Sequence, residues 1–230
     1  MTILWILGSL AVALAAIVIL YLAALRPWSH RRGATDAEVE GSLPGDDLVP
    51  NAKVTYTQAI TIDAPPEEVW PWLIQIGYGR AGWYTYDWFY KLTGSADFVE
   101  WDRCAERIIP ELLDLKAGDT IELAQGMSFD VVTLAPNRTL VLLARANMET
   151  GEGFDLSDPA PANYISISWV YALAPLDGNR ARLLVRWHGD TSPGLGSALS
   201  IHVPTEAGAL IMQPKLLKGI KARAEGMGAP

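Results

Sequence analysis

A long apolar run near the N-terminus is the feature that most constrains how this chain can fold. Residues 3–25 contain no Asp, Glu, Lys or Arg and are almost wholly apolar. As a helix, the run would be about 35 Å long, which is enough to cross a bilayer. We therefore predict a transmembrane anchor and its basic flank in residues 1–32, a tether in residues 33–52 and one folded domain in residues 53–226.

A cleavable signal peptide is the alternative interpretation of the same run. No Lys or Arg precedes the run, and the run is longer than a usual signal core, so an anchor is favoured. Arg26, Arg31 and Arg32 follow it, and the positive-inside rule then places the C-terminal domain in the cytoplasm. We thus expect a single-pass protein of the cell membrane.

Charge and cysteine content exclude several classes of function. The formal net charge is −8, and residues 1–32 hold three arginines and no acid, so the remainder is more acidic still. An acidic domain is not expected to bind nucleic acid. The single cysteine, Cys104, excludes an internal disulfide framework and suits a reducing compartment. The three histidines lack metal-binding spacing, and we expect neither a metal nor a cofactor.

Alternating apolar residues separated by turn signals predict an antiparallel sheet. Strands are expected at residues 53–62, 119–124, 128–134, 139–146, 163–174 and 180–189. Short helices are expected from Pro66 and over residues 86–92, and a long one over residues 205–225, where Pro214 should kink or split it. This order belongs to the α+β class, with one curved sheet whose concave face is covered by the long helix.

Several stretches resemble a known family. DAPPEEVWPWL at 63–73 is followed by GWYTYDW at 82–88, RIIPE at 107–111 and LLKGIKARAE at 216–225. Together they resemble the START-like superfamily, often labelled SRPBCC, which includes polyketide cyclase-like and lipid-transfer proteins, and within it a bacterial, membrane-anchored subgroup. The resemblance implies the helix-grip fold, in which a curved antiparallel sheet wraps around a long C-terminal helix and usually leaves a cavity between them.

Such a cavity makes large apolar residues candidates for a ligand-binding wall. The candidates are Trp83, Tyr84, Tyr86, Trp88, Phe129, Trp169, Tyr171, Trp187 and Leu210. Core packing is the alternative explanation for the aromatic residues. The inward faces that can be assigned are almost wholly apolar, so no catalytic residue is named.

Three functions are compatible with these patterns. The expected one is a membrane-tethered domain that binds a hydrophobic small molecule or lipid between the sheet and the C-terminal helix. The second is a cyclase- or dehydratase-like enzyme on the same fold, which would need an acid or base inside the cavity. The third is an interaction module without a ligand, which a densely packed interior would favour.

Overall fold

The computed structural model describes residues 2–93, 97–98, 103–155 and 157–226. The helices are α1 (Thr2–Leu20), α2 (Arg26–His30), α3 (Asp36–Glu40), α4 (Pro66–Ile74), α5 (Asp87–Thr93), α6 (Leu195–Ala207) and α7 (Gln213–Ala224). Two π turns, Tyr21–Leu25 and Gly208–Met212, join α1 to α2 and α6 to α7. The strands are β1 (Val54–Ile62), β2 (Thr120–Ala124), β3 (Met127–Ala135), β4 (Thr139–Asn147), β5 (Tyr164–Leu176) and β6 (Arg180–Thr191).

The six strands form one antiparallel sheet in the order β1-β6-β5-β4-β3-β2. The first strand in sequence therefore pairs with the last, and the other neighbours are hairpins. The β5–β6 turn holds Gly178 and Asn179 at φ values of 77° and 60°, which suits a tight turn whose twist matches that of the strands. All six predicted strands are present, each within a few residues of its predicted bounds.

Residues on alternate positions separate the sheet into two faces. The inner face, which includes Tyr56, Trp169, Tyr171 and Trp187, packs against α4 and α7 and contributes to the hydrophobic core. The sheet, the C-terminal helix and the apolar N-terminal helix confirm the predicted α+β helix-grip fold.

The C-terminal helix is longer than the sequence predicts. We expected it to begin at Thr205, but α6 begins at Leu195 and continues through a π turn into α7. The stretch from Leu195 to Thr205 has no Asp, Glu, Lys or Arg and contains Gly, Ser and Pro, so helix propensity gave no signal. Pro214 occupies the second position of α7, where a helix tolerates a missing N–H.

The outer face of the sheet is covered by residues 33–49. The guanidinium of Arg186 in β6 donates to the carbonyl oxygens of Glu38, Val39 and Gly41 and to the Asp46 carboxylate. Arg182, four residues earlier on the same face of β6, donates to both carboxylate oxygens of Glu38. The predicted tether is thus fastened along its length to the sheet.

The N-terminal helix meets the C-terminal helix at Glu206. The Glu206 carboxylate accepts hydrogen bonds from Tyr21 Oη at 2.7 Å and Arg26 Nε at 2.7 Å, and His30 Nε2 lies 2.8 Å from it. Gln58 in β1 adds a second link, since its Nε2 donates to the carbonyls of Ser29 and Ala209 at 2.7 and 2.6 Å. Both helices therefore contact each other beside their π turns.

Candidate functional site

Five of the predicted ligand-binding residues form one aromatic cluster on the inner face. Trp169 and Trp187 are direct partners across β5 and β6, and their ring centroids lie 5.2 Å apart. Trp83 stacks on Trp169 at 5.1 Å, and Phe129 and Tyr171 lie 5.9 and 5.2 Å from the same ring. These residues are at inward positions of three strands and one corner, which explains why alternation could identify most of them.

The other four predicted residues lie outside this cluster. Tyr84 adopts a φ of 52°, and its ring packs under the guanidinium of Arg223 in α7. Tyr86 and Trp88 contact each other at 6.2 Å, and Trp88 is 62% exposed. Leu210 lies in the π turn between α6 and α7 and is half-buried. The structure therefore does not bring these four residues together with the inner-face cluster.

The aromatic rings fill the space between the sheet and the C-terminal helix. Phe129 and Tyr171 are fully buried, and Trp83 and Trp169 nearly so. A small cavity of about 60 Å³ lies between β1 and α7 and is lined by Gln58, Ile60 and Leu217 among others, but by none of these rings. One water occupies about 30 Å³ in the liquid, so a larger ligand would require the C-terminal helix to move.

Two indole N–H groups in the cluster are buried without an acceptor. Trp169 Nε1 and Trp187 Nε1 have no hydrogen-bond partner among the described residues. Leaving a buried donor unpaired costs about 1–3 kcal/mol, and native proteins pair most such groups. The inner face therefore carries two buried donors on cross-strand neighbours, and neither has an acceptor in the described part of the chain.

Two buried glutamines extend this polar feature towards the C-terminal helix, and sequence analysis missed both. Gln213 at the start of α7 accepts from Tyr56 Oη at 3.4 Å, while its Nε2 has no partner in the described part of the chain. Tyr56 stacks on Trp187 at 6.1 Å. Gln58 occupies an inward position of β1 between Tyr56 and Ile60. A glutamine at a position where the alternation calls for an apolar residue was the signal in the sequence that could have identified it.

Burial raises the pKa values of two interior groups, the Tyr56 hydroxyl and the Cys104 thiol. Burial raises the pKa of the Tyr56 hydroxyl far above its usual value. Burial likewise raises the pKa of the Cys104 thiol to about 12, and the neighbouring Asp87 adds to the shift. Within the described residues, no group of three His, Cys, Asp or Glu side chains is placed to hold a metal ion.

Comparisons with known proteins bear on the fold. No protein-family model matches the chain, and neither does any curated protein. Solved structures do match it. The Polyketide_cyc-like protein Cgl2372 from Corynebacterium glutamicum is 16% identical, with 73% of this chain and 88% of that chain covered and a TM-score of 0.37. Hypothetical protein jhp0584 from Helicobacter pylori is 15% identical over 80% and 95% of the two chains, with a TM-score of 0.43.

A further neighbour is protein MLL2253 from Mesorhizobium loti, which is 16% identical over 75% of this chain and 98% of its own, with a TM-score of 0.40. At such identities and TM-scores, these neighbours concern the fold alone and do not indicate a ligand.

Proposed function

We propose that this protein is a membrane-tethered domain that binds a neutral amphipathic small molecule or lipid between the sheet and the C-terminal helix. The pair of unpartnered indole N–H groups at Trp169 and Trp187 carries the proposal. Donors without acceptors favour a ligand with a carbonyl, ester, ether or hydroxyl oxygen. Because the described residues around these rings are mostly apolar, a neutral ligand is favoured over an ionised one.

The C-terminal helix supplies a route into the packed interior. The 60 Å³ cavity lies at the junction of β1 and α7, and the π turn Gly208–Met212 directly precedes that part of the helix. π turns within helices frequently occur at functional sites. Movement of α7 about this turn would widen the cavity towards Gln213 and Trp187.

The tether rests on the N-terminal helix. Within the described residues, Gly8–His30 is long and apolar enough to cross a membrane. Trp5 and Trp28 are both exposed and lie near its two ends, about 35 Å apart along a helix. Tryptophan is enriched at both membrane–water interfaces, so this spacing supports a membrane-spanning helix.

The experiment compares ligands that remain bound to the full-length protein after purification from membranes in mild detergent. Trp169→Phe and Trp187→Phe each remove one N–H group and keep a ring in place. Trp72→Phe is the matched control, since Trp72 packs against Tyr84, outside the inner-face cluster. Bound compounds are extracted with solvent and quantified by mass spectrometry.

We expect wild type and the Trp72 variant to retain the same neutral compound, and the two inner-face variants to lose most of it while remaining folded. Equal retention in all four proteins would show that the indole donors do not bind the ligand. If wild type carries no compound and none of a panel of neutral lipids binds to it, the interaction module without a ligand becomes the better explanation.

A further inference from the structure

Helix α6 carries a row of apolar side chains that no described residue covers. Leu195, Leu199 and Val203 are 78%, 53% and 62% exposed, although leucine and valine are normally buried. Their spacing of four residues places them along one face of the helix. Isolated exposed leucines are ordinary, but a continuous row of three on one helix face indicates an interaction surface.

The same helix face is attached to the N-terminal helix. Glu206 follows Val203 by three residues and therefore lies on the side of α6 that carries the apolar row. Its carboxylate binds Tyr21 and Arg26 and contacts His30, which belong to the last turns of the apolar N-terminal helix. The exposed row is thus continuous with the part of the molecule that would emerge from the bilayer.

The lack of charged residues in most of the α6 sequence favours a lipid environment over an aqueous one. From Leu195 to Thr205 the helix has no Asp, Glu, Lys or Arg. Near the contact, Trp28 is 52% exposed, and the Arg32 guanidinium lies 4.9 Å from its ring centroid. Exposed tryptophan and arginine beside a membrane helix are typical of the headgroup region.

We infer that the α6 face formed by Leu195, Leu199 and Val203 lies in the interfacial layer of the bilayer, beside the N-terminal helix of the same molecule. This inference rests on the membrane tether of the proposed function. The folded domain would then touch the membrane through α6 and face it in one fixed orientation. Because the contact is apolar and the domain is acidic, we expect it to form on zwitterionic lipid and to persist in high salt.

The test places a fluorescent label at single positions of the full-length protein in phosphatidylcholine nanodiscs. Leu199→Cys and Leu195→Cys report on the row, and both side chains are exposed, so neither substitution disturbs the core. Val132→Cys is the matched control, because Val132 is an exposed apolar residue in β3 and not in α6. Leu14→Cys reports on the N-terminal helix itself. Wild type, whose single thiol at Cys104 is buried, gives the background labelling.

Each label is quenched by aqueous iodide and, separately, by nitroxide attached to the lipid acyl chains. We expect the labels at 14, 195 and 199 to be quenched several-fold more by the lipid nitroxide than the label at 132, and several-fold less by iodide. If the label at 14 behaves this way but those at 195 and 199 match the control, the tether stands and the α6 contact is refuted.

Two further outcomes would also overturn the inference. Iodide access at position 14 would refute the tether, and the α6 contact with it. Protection of positions 195 and 199 from both quenchers would show that protein covers the row, either a second copy of this chain or another partner.

Discussion

The charge pair between Arg186 and Asp46 gives the sharpest prediction about the segment that covers the outer face. Arg186 is only 4% exposed, and its guanidinium makes hydrogen bonds to three backbone carbonyls, to Thr57 Oγ1 at 2.9 Å and to Asp46 Oδ2 at 2.6 Å. In the described part of the chain, Asp46 supplies the one carboxylate that binds it. We therefore examine Asp46→Asn, which keeps the shape and an acceptor oxygen but removes the negative charge.

The structure sets the size of the effect. Removing one partner of a buried ion pair costs about 3–5 kcal/mol, because the other charge remains buried. The Asp46 side chain is 24% exposed, so water screens part of the interaction and the lower end of about 3 kcal/mol applies. A loss of that free energy shifts the equilibrium between the closed and the open covering segment about 100-fold towards the open state.

Amide hydrogen exchange of the full-length protein in detergent measures this opening directly. We expect backbone amides in residues 36–48 to exchange about 100-fold faster in Asp46→Asn. Amides of β5, a central strand paired with β4 and β6, should change far less. Asp47→Asn is the matched control, because Asp47 is exposed, adjacent and carries the same charge; surface substitutions of this kind usually change stability by less than about 0.5 kcal/mol. Equal exchange in the two variants would refute the reasoning that Asp46 compensates a buried cation.

Two other predictions concern stability. Burial, together with repulsion from Arg186, lowers the pKa of His188 despite the nearby Asp46. The unfolded chain therefore binds a proton more readily than the folded one, so this contribution to stability is complete above about pH 6.5 and is lost on acidification. The melting temperature should thus drop less between pH 7 and pH 5 in His188→Gln than in wild type, and equal drops would contradict this assignment. A Cβ on Gly219 in α7 would lie 2.4 Å from the Tyr84 carbonyl oxygen, so Gly219→Ala should destabilise the fold by about 1–3 kcal/mol. A Cβ on Gly196 in α6 meets open space, so Gly196→Ala should stabilise the fold by about 0.5–1 kcal/mol. Urea unfolding of the two variants measures the difference, and an unchanged stability in Gly219→Ala would mean that α7 shifts freely.

The parts of the fold that could be predicted from sequence are those with a regular hydrophobic period. Trp169 and Tyr171 alternate along β5, and Trp187 occupies the matching phase of β6, so their common face followed from spacing alone. Tyr84 and Tyr86 lie in a corner without a period, and Trp88 lies in the first turn of α5. Tyr84 adopts a left-handed backbone conformation, and its ring packs against Arg223 of α7. No local sequence pattern predicts a left-handed conformation at a tyrosine.

Two features could not be predicted, for different reasons: the polar contacts of the covering segment and the first half of the C-terminal helix. The contacts of residues 33–49 depend on half-buried Arg182 and buried Arg186, which are more than 130 residues away in sequence. The position of these two arginines on the outward face suggested only contact with solvent. Helix α6 has neither a charged face nor a capping side chain at Gly194. Its stability comes from tertiary contacts, such as Ile201 against Gly189, which outweigh weak propensity.

The π turn at Gly208–Met212 sets the rotational phase between the two halves of the C-terminal helix. A π turn accommodates one residue more than an α-helical turn, and each residue of an α-helix advances by about 100°. If the same residues formed a regular α-helix without the π turn, Glu206 and the apolar row of α6 would be rotated by about that angle relative to α7. The π turn therefore keeps α6 directed towards the N-terminal helix while α7 packs on the aromatic core.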